Sequence, residues 1–166
     1  MLCTDSKIGE LVKYDEGVGR MALTNGVHHV GLSVTDLEAS KGFFTDILEF
    51  EVLQYEAGHH AYVTDGTNMI TLWQTADQEA AVKVAGLHHL AFRVASVAVL
   101  RQLEERMKQN GVRLQFGGIG VKGQEGGYIG LFCYEPSGIR IELTTEERDE
   151  AKEIPIIGGC GAVEKE

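Results

Sequence analysis

A nine-residue segment that occurs twice decides the fold: Gly26-Val-His-His-Val-Gly-Leu-Ser-Val34 and, 60 residues later, Gly86-Leu-His-His-Leu-Ala-Phe-Arg-Val94. Both copies carry a His-His pair in the same register, and most of the other positions exchange one apolar residue for another. Apolar side chains alternate along each copy after the histidines, which is typical of a β-strand with one buried face. The chain therefore predicts an internal duplication of one small unit.

The residues after each copy also match in pattern. Apolar positions recur at helical spacing over 37–48 and over 97–109, with Thr35 or Asp36 as a candidate N-cap and Asn110-Gly111 as a candidate stop. Extended segments follow, at 50–55, 60–64 and 69–74 in the first copy and at 113–116, 128–134 and 139–144 in the second. Each unit is therefore predicted to run strand, helix and three strands.

These patterns divide the chain into five parts. The first unit covers 26–75, a polar linker covers 76–85, and the second unit covers 86–145, with an N-terminal extension at 1–25. The remaining segment, 146–166, has seven acidic and three basic residues. We interpret it as a solvated acidic tail.

Composition excludes several classes of partner. The chain has 166 residues, a hydrophobic fraction of 43%, which is enough for a core, and a formal charge of −10, which disfavours nucleic acid and anionic membranes. Three cysteines are too few and too scattered for a disulfide framework or a cysteine-type zinc site. We found neither a signal-peptide pattern nor a membrane-spanning apolar run, so we expect a cytoplasmic protein whose partner is a small molecule.

Three side chains form a candidate metal site. Because side chains alternate along a strand, His29 and His89 fall on the face opposite the apolar face of their strands. Glu142 alternates with apolar neighbours and points toward the histidines if the sheet curls. Two imidazoles and a carboxylate make a facial triad that leaves positions open on Fe(II), Mn(II), Zn(II) or Ni(II). His28 and His88 fall on the other face, where a structural role is the better interpretation.

The first unit lacks a matching carboxylate. Aligning the last strands of the two units puts Thr71 opposite Glu142, and threonine is a poor metal ligand. His60 and Gln74 are outside candidates for a fourth ligand. Arg93 shares a face with the second-unit histidine, where it is a candidate both for binding an anionic substrate group and for pairing with an acidic neighbour.

These segments resemble the vicinal oxygen chelate superfamily, which includes glyoxalases, extradiol dioxygenases, fosfomycin-resistance thiol transferases, methylmalonyl-CoA epimerases and bleomycin-resistance proteins. The resemblance runs from about Gly26 to Thr145 and rests on His-Val-Gly-Leu-Ser-Val-Thr-Asp, on His-Leu-Ala-Phe-Arg-Val, and on Glu-Pro-Ser-Gly-Ile-Arg-Ile-Glu-Leu. It implies an α+β fold of two paired βαβββ modules, whose sheets form a cupped half-barrel around a metal held by His29, His89 and Glu142.

The resemblance also suggests reactions. An enzyme acting on a small molecule with vicinal oxygens is expected, with an extradiol dioxygenase-like activity and Fe(II) or Mn(II) as the first interpretation. The dioxygenases of the superfamily have a tyrosine where this chain has Phe132, and we take Tyr134, on the same face, or Tyr128 as a candidate replacement. Phe132 and Trp73 are candidate pocket residues, together with Thr71.

Two alternatives remain open. A glyoxalase-type lyase or isomerase, with Zn(II) or Ni(II), would need a fourth ligand that Thr71 does not supply. A metal-free module of the bleomycin-resistance type is disfavoured because those proteins generally do not keep the ligand set. Since each site needs both modules and the sheets have open edges, we expect a homodimer.

Overall fold

Two β-sheets and two helices make up the described part of the chain. The computed structural model describes residues 23–24, 26–81, 83–124, 127–147 and 153–162. The first unit contains β1 (Val30–Val34), α1 (Leu37–Gly42) with a π-helical continuation (Phe43–Ile47), β2 (Glu51–Glu56), β3 (His60–Thr64) and β4 (Met69–Gln74). The second contains β5 (Leu90–Arg93), α2 (Val97–Gln109), β6 (Leu114–Lys122), β7 (Ile129–Tyr134), β8 (Arg140–Thr145) and β9 (Ile156–Ile157). The predicted α+β class and the repeated strand, helix and three-strand order are confirmed.

The two sheets repeat one topology. Their strand orders are β1-β4-β3-β2 and β5-β8-β7-β6-β9, and in each the first strand of the unit runs parallel to the last strand of the βαβββ pattern. Gly31 lies opposite Thr71 in the first sheet, and Ala91 lies opposite Glu142 in the second. Because Gly31 and Ala91 are repeat equivalents, Thr71 occupies the position in the first unit that Glu142 occupies in the second.

Polar side chains begin both helices. Of the two residues proposed as the N-cap of α1, Asp36 takes the role, since its Oδ1 accepts a hydrogen bond from the Ala39 backbone N–H at 3.0 Å. Ser96 caps α2 in the same way, with its Oγ 3.2 Å from Val99 N. Gly111 lies in the left-handed region with φ 68° directly after α2, as the predicted stop requires. No helix in these described ranges is both long and apolar enough to cross a membrane.

One hydrophobic core joins the two units. The rings of Phe44 and Phe50 from the first unit contact Phe92 on β5, with centroid distances of 6.4 and 5.4 Å. The guanidinium of Arg106 on α2 adds a hydrogen bond to Ile47 O at 3.0 Å and an ion pair with Glu49 at 2.6 Å. The units therefore pack through their helices and the apolar faces of their sheets, which leaves the faces with the paired histidines outside this core.

The strand β6 is longer than predicted. We expected an extended segment over 113–116, but the strand continues to Lys122. A bulge between Gln115 and Gly120 absorbs the irregular backbone, where Phe116 has φ 56° and Gly117 has φ 77°. The continuation brings Lys122 to the end of the strand, close to β8.

The C-terminal segment is not a solvated tail over residues 153–162. Ile154 packs against the core, and β9 pairs in parallel with β6 through Val121–Ile156 and Lys122–Ile157. The apolar run Ile154-Pro-Ile-Ile157 explains the difference, because it interrupts the acidic composition that led to our expectation.

Candidate metal centre

The second unit brings together two of the three predicted ligands. His89 stands directly before β5, and Glu142 lies in the middle of β8, its parallel neighbour. The Nε2 atom of His89 is 3.2 Å from Oε2 of Glu142, whose side chain is only 3% exposed. A buried carboxylate is costly unless it is paired, so this contact is part of what makes the site stable.

Lys122 contacts the other oxygen of the same carboxylate. Its Nζ donates to Oε1 of Glu142 and, at 2.8 Å, to Oγ1 of Thr144. The ammonium also lies 5.7 Å from the ring centroid of Tyr128. Glu142 thus presents one oxygen to an imidazole and the other to a buried cation. Lys122 is absent from the predicted site.

The charges of the pair depend on these contacts. Burial by itself raises the pKa of Glu142, but the hydrogen bonds from His89 and Lys122 outweigh it and lower the pKa to about 2. Hydrogen bonds with Cys160 and Glu142, opposed by partial burial, raise the pKa of His89 to about 9. Without a metal, His89 is therefore an imidazolium at neutral pH. A metal cation must displace its Nε2 proton in order to bind there.

A third ligand-type atom lies at the same place. Cys160 Sγ is 3.5 Å from Oε2 of Glu142, and the ligand atoms of His89, Glu142 and Cys160 all lie within 4.8 Å of one another. Sequence reasoning missed this residue, because a single cysteine 71 positions from the histidine has no ligand spacing. The only signal was the run Gly158-Gly-Cys-Gly161 after the apolar segment, which permits close backbone approach.

The first histidine of each pair contacts the second. Nδ1 of His88 is 2.8 Å from Nδ1 of His89, and Nδ1 of His28 is 2.9 Å from Nδ1 of His29. Burial, together with the charges of His89 and Arg140, lowers the pKa of His88, which favours its neutral form beside Nδ1 of His89. This contact leaves Nε2 of His89 directed at Glu142, and we therefore assign His88 an orienting function beyond the structural one expected.

His29 is apart from the other two predicted ligands. It is exposed, directly before β1, and its recorded polar contact is with His28. Neither of the clusters of three metal-ligating side chains found within the described ranges includes His29. Within one copy of the described chain, the site thus has two members of the predicted triad.

Thr71 and the two outside candidates for a fourth ligand, Gln74 and His60, all form hydrogen bonds with other residues. The buried Thr71 hydroxyl accepts a hydrogen bond from Trp73 Nε1 at 3.1 Å. Gln74 Oε1 accepts from the Leu37 backbone N–H at 3.2 Å, near the start of α1. His60 is 3.1 Å from Gln54 Nε2 and forms, with Glu56 and His59, a separate cluster at the β2–β3 hairpin.

The predicted pocket and catalytic residues divide into two groups. Phe132 is fully buried and meets the His89 ring edge-on, with a centroid distance of 6.2 Å, so it forms one wall of the site. Tyr134 instead lies under the guanidinium of Arg113, 3.9 Å from its ring centroid. Arg93 is 80% exposed and 3.7 Å from Glu146, in the acidic pairing that we gave as one of its two interpretations.

Comparison with known proteins identifies the family of the chain. A family model for the glyoxalase/bleomycin resistance protein/dioxygenase superfamily matches residues 26–143. The uncharacterized protein YwkD of Bacillus subtilis is 32% identical over 94 residues, which are 51% of this chain and 73% of that protein. A glyoxylase/bleomycin resistance protein/dioxygenase domain from Frankia shares 24% identity and a TM-score of 0.63, covering 78% of this chain and 98% of that one. A lactoylglutathione lyase from Agrobacterium tumefaciens shares 16% identity and a TM-score of 0.58, covering 75% and 96%. The chain belongs to the glyoxalase/bleomycin resistance protein/dioxygenase superfamily.

Proposed function

We propose that this chain is a divalent-metal-dependent enzyme that binds a small substrate through two adjacent oxygen atoms. The observation that carries the proposal is the buried Glu142 carboxylate with its Oε2 3.2 Å from His89 Nε2. Both residues stand where the sequence repeat and the superfamily resemblance predict ligands. An imidazole nitrogen and a carboxylate oxygen suit Fe(II), Mn(II), Zn(II) or Ni(II).

The residues around the pair support this use. A divalent ion held there would polarise the oxygen atoms of the substrate as a Lewis acid. Lys122 holds Oε1 of Glu142, which leaves Oε2 turned toward His89. Phe132 contacts the imidazole edge-on from the side of the sheet. The Glu142 side chain is 3% exposed and the His89 side chain is 22% exposed, so solvent reaches the pair from the side of His89.

We propose that a second copy of the chain completes the triad with its His29, in a homodimer. His29 is the repeat equivalent of His89, but the first unit has Thr71 at the position where the second unit has Glu142. Val27 and Leu87, which precede the two histidine pairs, are 82% and 51% exposed, so both histidine-bearing ends present apolar surface. These two side chains supply apolar surface for a symmetric interface, in which we place His29 of one copy beside the carboxylate of the other.

Between the two reaction classes, the surroundings of the pair favour a glyoxalase-type lyase or isomerase over the dioxygenase. Phe132 supplies no hydroxyl at the position of the dioxygenase tyrosine, and Tyr134 is paired with Arg113. Lys122 is a buried cation there, but its Nζ is engaged by Oε1 of Glu142 and Oγ1 of Thr144, so it holds the ligand carboxylate and is no replacement for the dioxygenase tyrosine. One feature still favours a dioxygenase: a metal held by three ligands keeps coordination positions open.

Metal content tests the metal centre. We expect the purified wild type to retain about one transition-metal ion per chain after dialysis, and Glu142→Ala to retain almost none. Glu146→Ala is the matched control, because Glu146 is an exposed carboxylate four residues away and should keep the metal. A wild type that binds no metal after reconstitution with zinc, iron, manganese and nickel would refute the proposal.

Substrate panels test the reaction class. We expect the metal-loaded protein to isomerise or cleave α-hydroxycarbonyl compounds or their thiol adducts without oxygen. We expect no oxygen uptake from a catechol panel, measured with an oxygen electrode. Oxygen uptake with catechols that depends on Glu142 would favour the dioxygenase instead.

A further inference from the structure

The segment after the second unit returns to the metal centre. It leaves β8, forms β9 beside β6, and ends in a turn closed by a hydrogen bond from Ala162 N to Gly159 O at 2.8 Å. Cys160 lies in this turn, with Sγ 3.5 Å from Oε2 of Glu142. Oε2 is the same oxygen that faces His89, whereas Lys122 occupies Oε1. An imidazole nitrogen and a thiol sulfur therefore converge on one oxygen of the carboxylate.

We propose that the Cys160 thiolate is a further protein ligand of the metal held by His89 and Glu142. The inference rests on the proposed function, because it needs a metal at that pair. It adds a donor from a segment outside the two βαβββ units.

A buried arginine fixes the backbone of Cys160. Arg140 Nη1 donates to the Cys160 carbonyl at 2.8 Å, and Nη2 donates to the Ala162 carbonyl at 3.1 Å. Arg140 is 2% exposed, and its guanidinium stacks on Phe132 with 4.0 Å to the ring centroid. Since Arg140 lies two residues before Glu142 on β8, the strand that carries the carboxylate also holds the cysteine in place.

Glycines let the segment approach this closely. Cα of Gly123 lies 3.6 Å from the position that a Cβ on Gly159 would take, so these two segments of the chain are in close backbone contact. A Cβ on Gly158 would lie 2.6 Å from Ala162 Cβ and 2.7 Å from Phe116 Cζ. Two backbone hydrogen bonds, Val121 N to Pro155 O at 2.8 Å and Gly123 N to Ile157 O at 3.0 Å, hold β9 against β6. The segment that leads into the turn is therefore held against β6, while Cys160 itself is exposed.

The spacing of the donor atoms suits one metal ion. Ligand bonds of about 2.0 to 2.3 Å at tetrahedral angles put two donor atoms roughly 3 to 4 Å apart. The distances of 3.2 and 3.5 Å to Oε2 agree with that value. Binding would release the thiol proton and the Nε2 proton of His89 to solvent. A thiolate would shift metal preference toward Zn(II) and Co(II) and away from Mn(II), and it would supply the donor that Thr71 cannot.

Cobalt substitution tests the proposal by absorption spectroscopy. We expect wild-type protein loaded with Co(II) to show an intense thiolate-to-cobalt charge-transfer band in the near ultraviolet, together with visible ligand-field bands. Cys160→Ser should lose the charge-transfer band but keep cobalt and the visible bands. Its zinc affinity should fall by at least about tenfold, the loss that even an outer-shell partner of a ligand causes. Cys3→Ser and Cys133→Ala are the controls and should keep the charge-transfer band.

The outcomes separate this proposal from the proposed function. Visible cobalt bands without a charge-transfer band in wild type, or with one that persists in Cys160→Ser, would overturn the assignment of Cys160 and leave the metal centre intact. Wild-type protein that binds no cobalt and no zinc would overturn the metal centre itself, and the thiolate ligand with it.

Discussion

The imidazole of His89 is held through both of its nitrogen atoms. Nε2 faces Glu142 at 3.2 Å, and Nδ1 faces Nδ1 of His88 at 2.8 Å. Metal-binding histidines commonly donate their second N–H to such a partner, which fixes the tautomer and the ring orientation. The same Nδ1 contact joins His28 and His29 at 2.9 Å, so the two His-His pairs repeat one geometry.

Removing the orienting neighbour should weaken metal binding without removing a ligand. We expect His88→Ala to lower zinc affinity by about tenfold, because the His89 ring then loses its Nδ1 partner. Competition with a chromogenic chelator measures the change. Glu146→Ala is the control, since Glu146 is an exposed side chain that belongs to neither cluster of metal-ligating residues. Equal affinities of His88→Ala and wild type would show that His88 has no orienting function.

Lys122 compensates the buried charge of Glu142 in the metal-free protein. We expect Lys122→Met to lower the free energy of unfolding by about 3 kcal/mol, because the variant leaves the carboxylate with less compensation. The loss should be smaller with zinc bound, since the metal replaces the missing positive charge. Urea unfolding with and without zinc measures both values.

The control for Lys122 is a lysine in an exposed ion pair. Lys108 is 51% exposed and pairs with Glu104 at 3.0 Å, so Lys108→Met should change stability by no more than about 0.5 kcal/mol. If both variants lost the same small amount of unfolding free energy, the contact between Lys122 and Glu142 would contribute little to stability.

Sequence patterns brought two of the candidate site residues into view. The duplicated strand singled out His89, and the alternation of apolar residues on the last strand singled out Glu142, and the structure places these two side chains together. Lys122 was missed because it follows a glycine-rich stretch that predicts a loop, and the bulge that carries the strand onward depends on pairing with β7. Cys160 was missed because its place depends on Arg140, which lies 20 positions earlier in the chain.

At the scale of elements, local sequence patterns predicted the helices and the paired strands. The position of the last segment depends instead on its contacts with β6, which no local pattern indicates. β3, β4 and α2 have the predicted bounds, since each combines a clear period with turn residues or caps at its ends. β9 has only two residues and pairs with an edge strand that was itself predicted too short. Because its few apolar residues lie within a segment of acidic composition, this strand was not predicted.

A single methyl group should loosen the turn that carries Cys160. We expect Gly158→Ala to destabilise the docked segment by about 1 to 2 kcal/mol, because its Cβ would overlap Ala162 and Phe116. Limited proteolysis should then cleave the C-terminal segment several times faster. Gly161→Ala is the matched control, because its Cβ would meet no atom within 4 Å. Similar cleavage rates for the two variants would contradict close packing at Gly158.

Taken together, the two units share a core on one side and present their histidine-bearing faces on the other. Leu32 and Phe92 point into the core, whereas Gly31 and Ala91, their neighbours along the strands, are exposed. On β2, an edge strand whose six residues are all exposed, Val52 and Leu53 are 47% and 57% exposed. Exposed apolar side chains on an open sheet edge are typical of a surface that another chain covers.

Complementation between two inactive variants tests the shared metal centre most directly. His29→Ala and Glu142→Ala should each lose the zinc that wild type retains during dialysis. When the two are mixed, unfolded and refolded together, mixed dimers have one intact site each, so about a quarter of all sites should regain zinc. A mixture that holds no more zinc than its components, or a His29→Ala variant that retains the full wild-type amount, would contradict a metal centre built from two copies of the chain.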